Sequence, residues 1–229
     1  MDDAVLLIFP DFCFPEHYMV IDLETTGFDN KVDFIQQVGL VHVSKGEIKN
    51  KMGFLMQVPL GSVSEGAFKV HGITAEKCMK EGLPRRVACL RLADTLTNWF
   101  KLGGTLVGHN AIGFDLPYIS SVMTRENVNF DFHDAALVDT GCLVKAIQLN
   151  TFPQKGETPR MYWNRIRNIR AAGVYWSLDR YCVPTFGFEK RAKEEGLDAH
   201  DALADCVMTS WVLEDLKKRR ENIAALMKK

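Results

Sequence analysis

The stretch Tyr18-Met-Val-Ile-Asp-Leu-Glu24, with Thr25-Thr-Gly27 directly after it, decides the fold of this chain. It is an apolar run typical of a buried strand, and it is interrupted by Asp22 and Glu24, whose side chains share one face because strand side chains alternate. Two carboxylates on one face of a buried strand are costly unless a positive group neutralises them. Mg²⁺ and Mn²⁺ prefer such oxygen ligands, so the pair indicates a divalent-metal site. The pair alone is equally compatible with a strand end whose acids are solvated.

The rest of the chain places this strand in an α/β domain. Further strands are predicted at Phe34–Val43, Ile48–Val58, Thr105–His109 and Ala136–Thr140. The first three strands follow one another as a meander, whereas helical patterns separate the later ones, and a last helix runs from about Asp201 into the tail. We therefore predict one domain over residues 1–229, with a central mixed five-stranded sheet flanked by helices.

The charge of the chain is balanced but unevenly distributed. Lys and Arg number 28 and Asp and Glu 29, a formal net charge of −1, which excludes a protein that coats nucleic acid through a large basic excess. Residues 150–176 nevertheless hold five basic residues against one acidic residue, and residues 217–229 hold six against one. For the Lys217–Arg220 cluster we predict a solvated helix end, where cations favour the helix dipole.

Arginines alternate with aromatic residues in the segment 150–176. The aromatic residues are Tyr162, Trp163, Tyr175 and Trp176. Stacking rings beside cations predict an insertion that serves as a groove for a single nucleic-acid strand. The alternative is ordinary surface packing of arginine stems on aromatic rings.

Two further acidic motifs lie downstream. Asp115 ends a polar turn that begins at Gly108 and precedes a helix, so it is either a helix cap or a metal ligand. His200-Asp-Ala-Leu-Ala-Asp205 opens the last helix. Five residues subtend about 140° on a helix, so His200 and Asp205 face one site only if His200 lies in the loop before that helix.

Together these motifs resemble the DEDDh, or DnaQ-like, 3′→5′ exonucleases of the ribonuclease H-like fold. The first family motif, Asp-x-Glu before Thr-Thr-Gly, corresponds to Asp22–Gly27, the second ends at Asp115, and the third, His-x4-Asp, is His200 to Asp205. Phe68–Thr74 looks like the loop that contacts the terminal nucleotide in proofreading subunits of bacterial replicases. The segments Leu137–Thr140 and Ser177–Cys182 also match in kind and order, so the resemblance extends roughly over residues 18–215.

The resemblance implies a 3′→5′ exonuclease that releases nucleoside 5′-monophosphates from single-stranded DNA. Two divalent cations, Mg²⁺ or Mn²⁺, would be held by four carboxylates, and His200 would accept a proton from the attacking water. The predicted metal ligands are Asp22, Glu24, Asp115 and Asp205. The residues predicted to bind the terminal nucleotide are Thr25, Thr26, His71, Asn110 and Phe114, of which Phe114 is equally compatible with burial in the core.

Two alternative functions stay open at this point. The chain could be a 3′→5′ exoribonuclease that acts on RNA ends or short oligoribonucleotides, or a non-catalytic nucleic-acid-binding module. The Thr-Thr-Gly string and the His71-Gly-Ile-Thr74 string favour the DNA proofreading branch by resemblance. A proofreading role would require a polymerase or repair partner, because no polymerase-like region shares the chain.

Cysteine usage and the start of the chain predict an intracellular, soluble protein, cytoplasmic or otherwise. Six cysteines without a Cys-x-x-Cys pair predict reduced thiols in the core. The apolar run Ala4–Pro10 is too short for a signal sequence or a membrane span and follows acidic rather than basic residues.

Overall fold

The computed structural model describes residues 3–132 and 136–227, and its strands form one mixed sheet in the order β3-β2-β1-β4-β5. The strands are β1 (His17–Thr25), β2 (Ile35–Ser44), β3 (Glu47–Leu55), β4 (Thr105–Gly108) and β5 (Ala136–Asp139). The first three pair antiparallel, whereas β1 with β4 and β4 with β5 are parallel. The predicted mixed five-stranded sheet is confirmed.

Helices connect and cover these strands. The α-helices are α1 (Glu65–His71), α2 (Ala75–Glu81), α3 (Arg85–Lys101), α4 (Asp115–Arg125), α5 (Thr140–Gln148), α6 (Pro159–Asn168), α7 (Val183–Thr185), α8 (Glu189–Glu194) and α9 (Ala202–Leu226). Two 3₁₀ helices, Asp3–Ile8 and Asp11–Cys13, precede β1, and a π-helical turn spans Leu178–Cys182. The predicted nucleotide-contacting loop over Phe68–Thr74 is the last turn of α1, a left-handed Gly72 and the start of the next connection.

Helices α9 and α3 cover opposite faces of the sheet. On one face, Gly39 of β2 lies against the first residues of α9, and Gly53 of β3 lies against Leu203. On the other face, His42 of β2 meets the ring of Trp99 on α3, with ring centroids 5.0 Å apart. Residues 39 and 42 point to opposite faces because strand side chains alternate. The α9 face is the one that carries the acidic residues of β1.

The prediction of a single-strand groove at 150–176 is wrong for its central residues. Helix α6 forms within this segment and turns Tyr162 and Trp163 into the core, where both are fully buried. The indole Nε1 of Trp163 donates to the carbonyl of Leu137 at 2.8 Å. Arg165 pairs with Glu157 at 2.7 Å and lies over the ring of Tyr162, so its charge is already matched within the segment. These groups hold α6 against β5 and are not available to a nucleic-acid strand.

The prediction of a solvated helix end at 217–220 is also wrong for two of its residues. Lys217 is buried, donates to the carbonyl of Pro15 at 3.1 Å and pairs with Glu16. Arg220 pairs with Asp11 at 2.8 Å. These cations therefore fasten the residues before β1 to α9. The last two lysines of the predicted basic tail lie outside the described residues.

All six cysteines are buried and unpaired, as predicted. Within residues 3–132 and 136–227, no helix is long and apolar enough to cross a membrane.

Candidate active site

The acidic pair of β1 lies at the centre of the sheet and faces the start of α9. Asp22 is paired with Gly39 and Glu24 with Gln37 across the antiparallel β1–β2 ladder. Directly opposite residues of such a ladder share one face. Both acids line one cleft of about 280 Å³. The ladder shifts register between Glu24 and Thr25, so β1 leaves regular pairing just beyond the pair.

The first turn of α9 is fixed to the same part of β2. Gln37 donates through Nε2 to Asp201 at 2.8 Å and accepts through Oε1 from the N–H of Ala202 at 3.1 Å. Asp201 caps the helix by accepting from the next backbone amides. A Cβ atom at Gly39 would lie 2.3 Å from the carbonyl oxygen of Ala202, so only glycine lets the helix approach this closely. Asp205 is thereby held one turn into α9, over the acids of β1.

His200 lies in the loop before α9, as the spacing argument requires. Its backbone adopts a left-handed conformation (φ 67°), which is uncommon outside glycine. Its N–H lies 3.3 Å from each carboxylate oxygen of Asp205, and its Nε2 lies 3.7 Å from Oδ2 of Asp179. Among the described residues, ligand atoms of Glu24, His200 and Asp205 lie within 4.8 Å of one another.

The turn after β4 brings the fourth carboxylate to the cleft. Because β1 and β4 are parallel neighbours, their carboxyl ends meet at one edge of the sheet. The carboxylate of Asp139, fully buried at the end of β5, accepts from the N–H groups of Asn110, Ile112 and Cys142 at 2.9–3.1 Å. These bonds shape the turn that leads to Asp115, the first residue of α4 rather than its cap.

The described site is strongly acidic. Burial, and then repulsion between neighbouring carboxylates, raises the pKa of Glu24 to about 9 and holds that of Asp22 well above its ordinary range. Burial likewise raises the pKa of Asp115 to about 8 and that of Asp205 to about 7. With protein groups alone, these carboxyls cannot all be ionised near neutral pH.

The donor set fits a divalent cation. Asp115 is 2% exposed, and its Oδ1 has no hydrogen-bond partner. A buried carboxylate oxygen without a donor is costly unless a cation reaches it. Hard oxygen ligands converging on one cleft suit Mg²⁺ or Mn²⁺. The cleft thus has the chemistry of a metal centre with a histidine at its rim.

The whole arrangement matches a known family. The sequence profile of the RNase T family, described as exonuclease, matches residues 19–213. This chain belongs to that exonuclease family. No curated protein gave a match to this chain.

Solved structures with the same fold as this chain are known. E. coli exonuclease I in complex with a dA16 oligonucleotide superposes with a TM-score of 0.66 at 17% identity, covering 91% of this chain and 42% of that one. The zinc-bound form of the E. coli exonuclease I–single-stranded DNA complex gives a TM-score of 0.62 at 16% identity, covering 92% and 43%. This chain thus spans less than half the length of these structures, and the likeness confirms its ribonuclease H-like fold.

Only some of the residues predicted to bind the terminal nucleotide lie at the cleft. Thr25 and His71 line the cleft, whereas Thr26 does not. Thr26 is fully buried; its N–H donates to Phe34, its carbonyl accepts from Ser64, and its hydroxyl accepts from the N–H of Phe34. Thr26 therefore braces the turn from inside.

His71 contacts Thr25 directly. Its Nδ1 accepts from the N–H of Ile73 at 3.0 Å, so its Nε2 carries the proton and donates to the carbonyl of Thr25 at 3.1 Å. Burial holds the pKa of His71 below its ordinary value, so the ring is neutral. His71 thus fixes the backbone of the first motif at the cleft wall.

Asn110 and Phe114 also line the cleft. Phe114 packs against Tyr118, with ring centroids 4.8 Å apart, while still facing the cleft. Phe114 is therefore packed against a neighbouring ring and also borders the cleft, and its contact with substrate stays a prediction.

Sequence reasoning missed three residues of the site. Phe28 lines the cleft, Asp139 shapes the turn before Asp115, and Asp179 lies beside His200. Trp176, one of the aromatic residues of the predicted groove, also lines the cleft. The segments around Asp139 and Asp179 match the family, which was the only signal for them.

Proposed function

We propose that this chain is a metal-dependent 3′→5′ exonuclease that shortens single-stranded DNA and releases nucleoside 5′-monophosphates. One observation carries the proposal: four carboxylates from β1, α4 and α9 line a single cleft together with His200, in a chain of the exonuclease family. Their raised pKa values favour the neutral acids until a cation neutralises the site. Asp22, Glu24, Asp115 and Asp205 would hold the divalent metal, two Mg²⁺ or Mn²⁺ ions by resemblance.

The bound metal supplies charge neutralisation for the scissile phosphate and acidifies the attacking water. The protein groups bind, orient and move protons around it. Asp115 lines the cleft and its Oδ1 has no hydrogen-bond partner, and the α9 contact with β2 fixes Asp205 opposite the acids of β1. Because these carboxylates are carried by a strand and two helices, little rearrangement of the side chains is needed when the substrate reacts.

His200 is placed to accept the proton of the attacking water. Its side chain is 37% exposed at the cleft rim, and its neighbour Asp179 lies close enough to orient the ring. An imidazole is the side chain most often used as a general base in such reactions. In this assignment His200 is catalytic and Asp179 is a positioning residue.

The terminal nucleotide would lie along the wall formed by Thr25 and His71. The carbonyl of Thr25 accepts a hydrogen bond from His71, and the hydroxyl of Thr25 donates to the carbonyl of Gly27 at 2.7 Å. These two bonds make this wall of the cleft rigid. A cleft of about 280 Å³ is at the lower end of the range for small-molecule sites, which suits one chain end rather than a duplex. The single-stranded DNA in the matched exonuclease I complexes supports the choice of DNA.

The proposal is tested with 5′-labelled single-stranded DNA and Mg²⁺ or Mn²⁺. A 3′→5′ exonuclease gives a ladder of progressively shorter labelled products, whereas the opposite polarity releases labelled mononucleotide at once. We expect Asp22→Asn and His200→Ala to lower turnover by about 100-fold or more. Asp94→Asn and His17→Ala, at exposed residues outside the cleft, are the matched controls.

Three results would count against the proposal. Undiminished turnover by folded Asp22→Asn protein would remove the metal assignment. Faster turnover of an RNA than of a DNA of the same sequence would identify RNA, and not DNA, as the substrate. Binding of single-stranded DNA without turnover of any strand in either metal would leave a non-catalytic binding module.

A further inference from the structure

Two cations lie side by side next to the cleft without an acidic partner. Lys145 of α5 is buried, and its Nζ donates to the carbonyl of Arg167 at 3.0 Å. The side chain of Arg167, in the last turn of α6, is exposed. Within residues 3–132 and 136–227, neither cation forms an ion pair with a carboxylate. The carboxylate of Asp139, the acid bonded to Asn110 and Cys142 of this corner, is engaged by backbone N–H groups and not by either cation.

The cation pair is continuous with the cleft. Lys145 and Arg167 line a recess together with Asn110 and Trp176, and the latter two also line the cleft of the four carboxylates. Nε of Arg167 would lie 2.6 Å from a Cβ atom at Gly113, so the guanidinium packs directly on the turn that leads to Asp115. The recess is therefore a side arm of the catalytic cleft.

The recess itself has a volume of only about 10 Å³, so a ligand larger than water can be bound only at its mouth, where the side chain of Arg167 is exposed. The opposite charges of the cleft and of this mouth suggest which ligand Arg167 binds. A DNA strand that enters a cleft with four carboxylates carries a phosphate at every nucleotide, and only the scissile phosphate can reach the metal. The next phosphate meets the protein beyond the carboxylates and needs a cation there. A guanidinium offers two parallel N–H donors to a phosphate, and the ammonium behind it adds charge without direct contact.

We propose that Arg167, supported by Lys145, binds the backbone phosphate on the 5′ side of the scissile bond. The ligand is a phosphodiester of a single strand. The inference rests on the proposed function, because it assumes that the scissile phosphate lies at the four carboxylates. It assigns to Arg167 the strand contact that Tyr162, Trp163 and Arg165 cannot make.

The test compares two substrates that differ only in the presence of that phosphate. The p-nitrophenyl ester of thymidine 5′-monophosphate has a scissile phosphodiester and no 5′ chain, whereas an oligothymidylate has both. The ratio of kcat/KM for the oligonucleotide to kcat/KM for the ester is measured for the wild type and for Arg167→Gln. Arg170→Gln is the matched control, since this exposed arginine loses the same charge and lines neither the recess nor the cleft.

We expect the ratio to fall about tenfold in Arg167→Gln and less than twofold in Arg170→Gln. Because one phosphate contact is lost, the log–log dependence of oligonucleotide kcat/KM on salt should become shallower by about 0.7 in Arg167→Gln. An unchanged ratio would overturn the subsite. Equal losses in the two variants would also overturn it, in favour of a general basic surface.

A failure of the proposed function has a different signature, in which the wild type turns over neither substrate. Binding then decides, measured by fluorescence anisotropy of a 5′-labelled oligothymidylate with Mg²⁺. Weaker binding by Arg167→Gln with unchanged binding by Arg170→Gln supports the phosphate site. Equal binding by both variants and the wild type, or no binding at all, overturns it.

Discussion

The buried carboxylates make the metal-free protein sensitive to pH, and Asp115→Asn is the sharpest perturbation of this effect. In the unfolded chain an aspartate ionises near pH 4. In the folded, metal-free chain burial raises the pKa of Asp115 to about 8. Between these values the folded state holds more protons than the unfolded state, so the free energy of unfolding falls as pH rises. Asparagine cannot ionise and escapes this penalty.

The size of the effect follows from the two pKa values. One pKa unit corresponds to about 1.4 kcal/mol, so the penalty on ionising Asp115 grows by at most about 4 kcal/mol between pH 5 and pH 8. Asp22 and Asp205 contribute to the same repulsion and can take up a proton in its place. We therefore expect the stability difference between Asp115→Asn and wild type to grow by about 2 kcal/mol over this interval.

The assay is urea unfolding in EDTA, followed by tryptophan fluorescence at pH 5, 6, 7 and 8. Asp94→Asn, on the exposed side of α3, removes the same charge and should keep a constant difference from the wild type. Mn²⁺ at pH 8 should stabilise the wild type more than Asp115→Asn, since a ligand is lost. A difference for Asp115→Asn that is constant or shrinks from pH 5 to pH 8 would refute the reasoning.

Three further predictions concern residues around the cleft. Asp139→Ala should destabilise the protein by about 2–4 kcal/mol in urea unfolding, because two buried N–H groups and one part-buried N–H group lose their acceptor. Trp163→Ala should cost about 3–5 kcal/mol in the same assay, while the folded variant binds single-stranded DNA as the wild type does. Asp179→Asn should lower kcat by about tenfold with KM unchanged, and Asp179→Glu should recover part of it, if the carboxylate orients His200.

Each of these has a result that contradicts it. A stability loss below about 1 kcal/mol for Asp139→Ala would mean that its three bonds are dispensable. Weaker DNA binding by folded Trp163→Ala would show that the ring of Trp163 does contribute to binding of the DNA strand. Equal losses of kcat in Asp179→Asn and Asp179→Glu would show that packing, and not the carboxylate, matters at this position.

The sheet and the acidic cluster could be predicted because their signals are local. Alternation along β1 places Asp22 and Glu24 on one face whatever the rest of the chain does. The angle between His200 and Asp205 follows from helix geometry alone. The parallel pairing of β1 with β4 then brings Asp115 to the same edge.

The two wrong predictions depend on contacts between distant parts of the chain. The same sequence pattern of arginines and aromatic residues occurs where the rings pack in a core and where they stack on bases. For Trp163 only the burial of one face of α6 shows that the ring packs in the core. Lys217 binds Pro15, 202 residues away in sequence, so nothing near the helix end indicates that it is buried. Asp139 likewise acts on a turn 27 to 29 residues before it.

The close approach of α9 to Gly39 has a consequence for how function can be lost. The distance between the acids of β1 and Asp205 is set by contact between the main chains of β2 and α9. No side chain lies between them that could change its rotamer to make room for a larger residue at position 39. Any substitution of Gly39 would lift the start of α9, because an added Cβ atom would meet the carbonyl of Ala202 at 2.3 Å. A screen for inactive variants should therefore recover position 39 alongside the metal ligands, although it carries no chemistry. Loss of metal binding with a largely preserved helix content would be the mark of this class of variant.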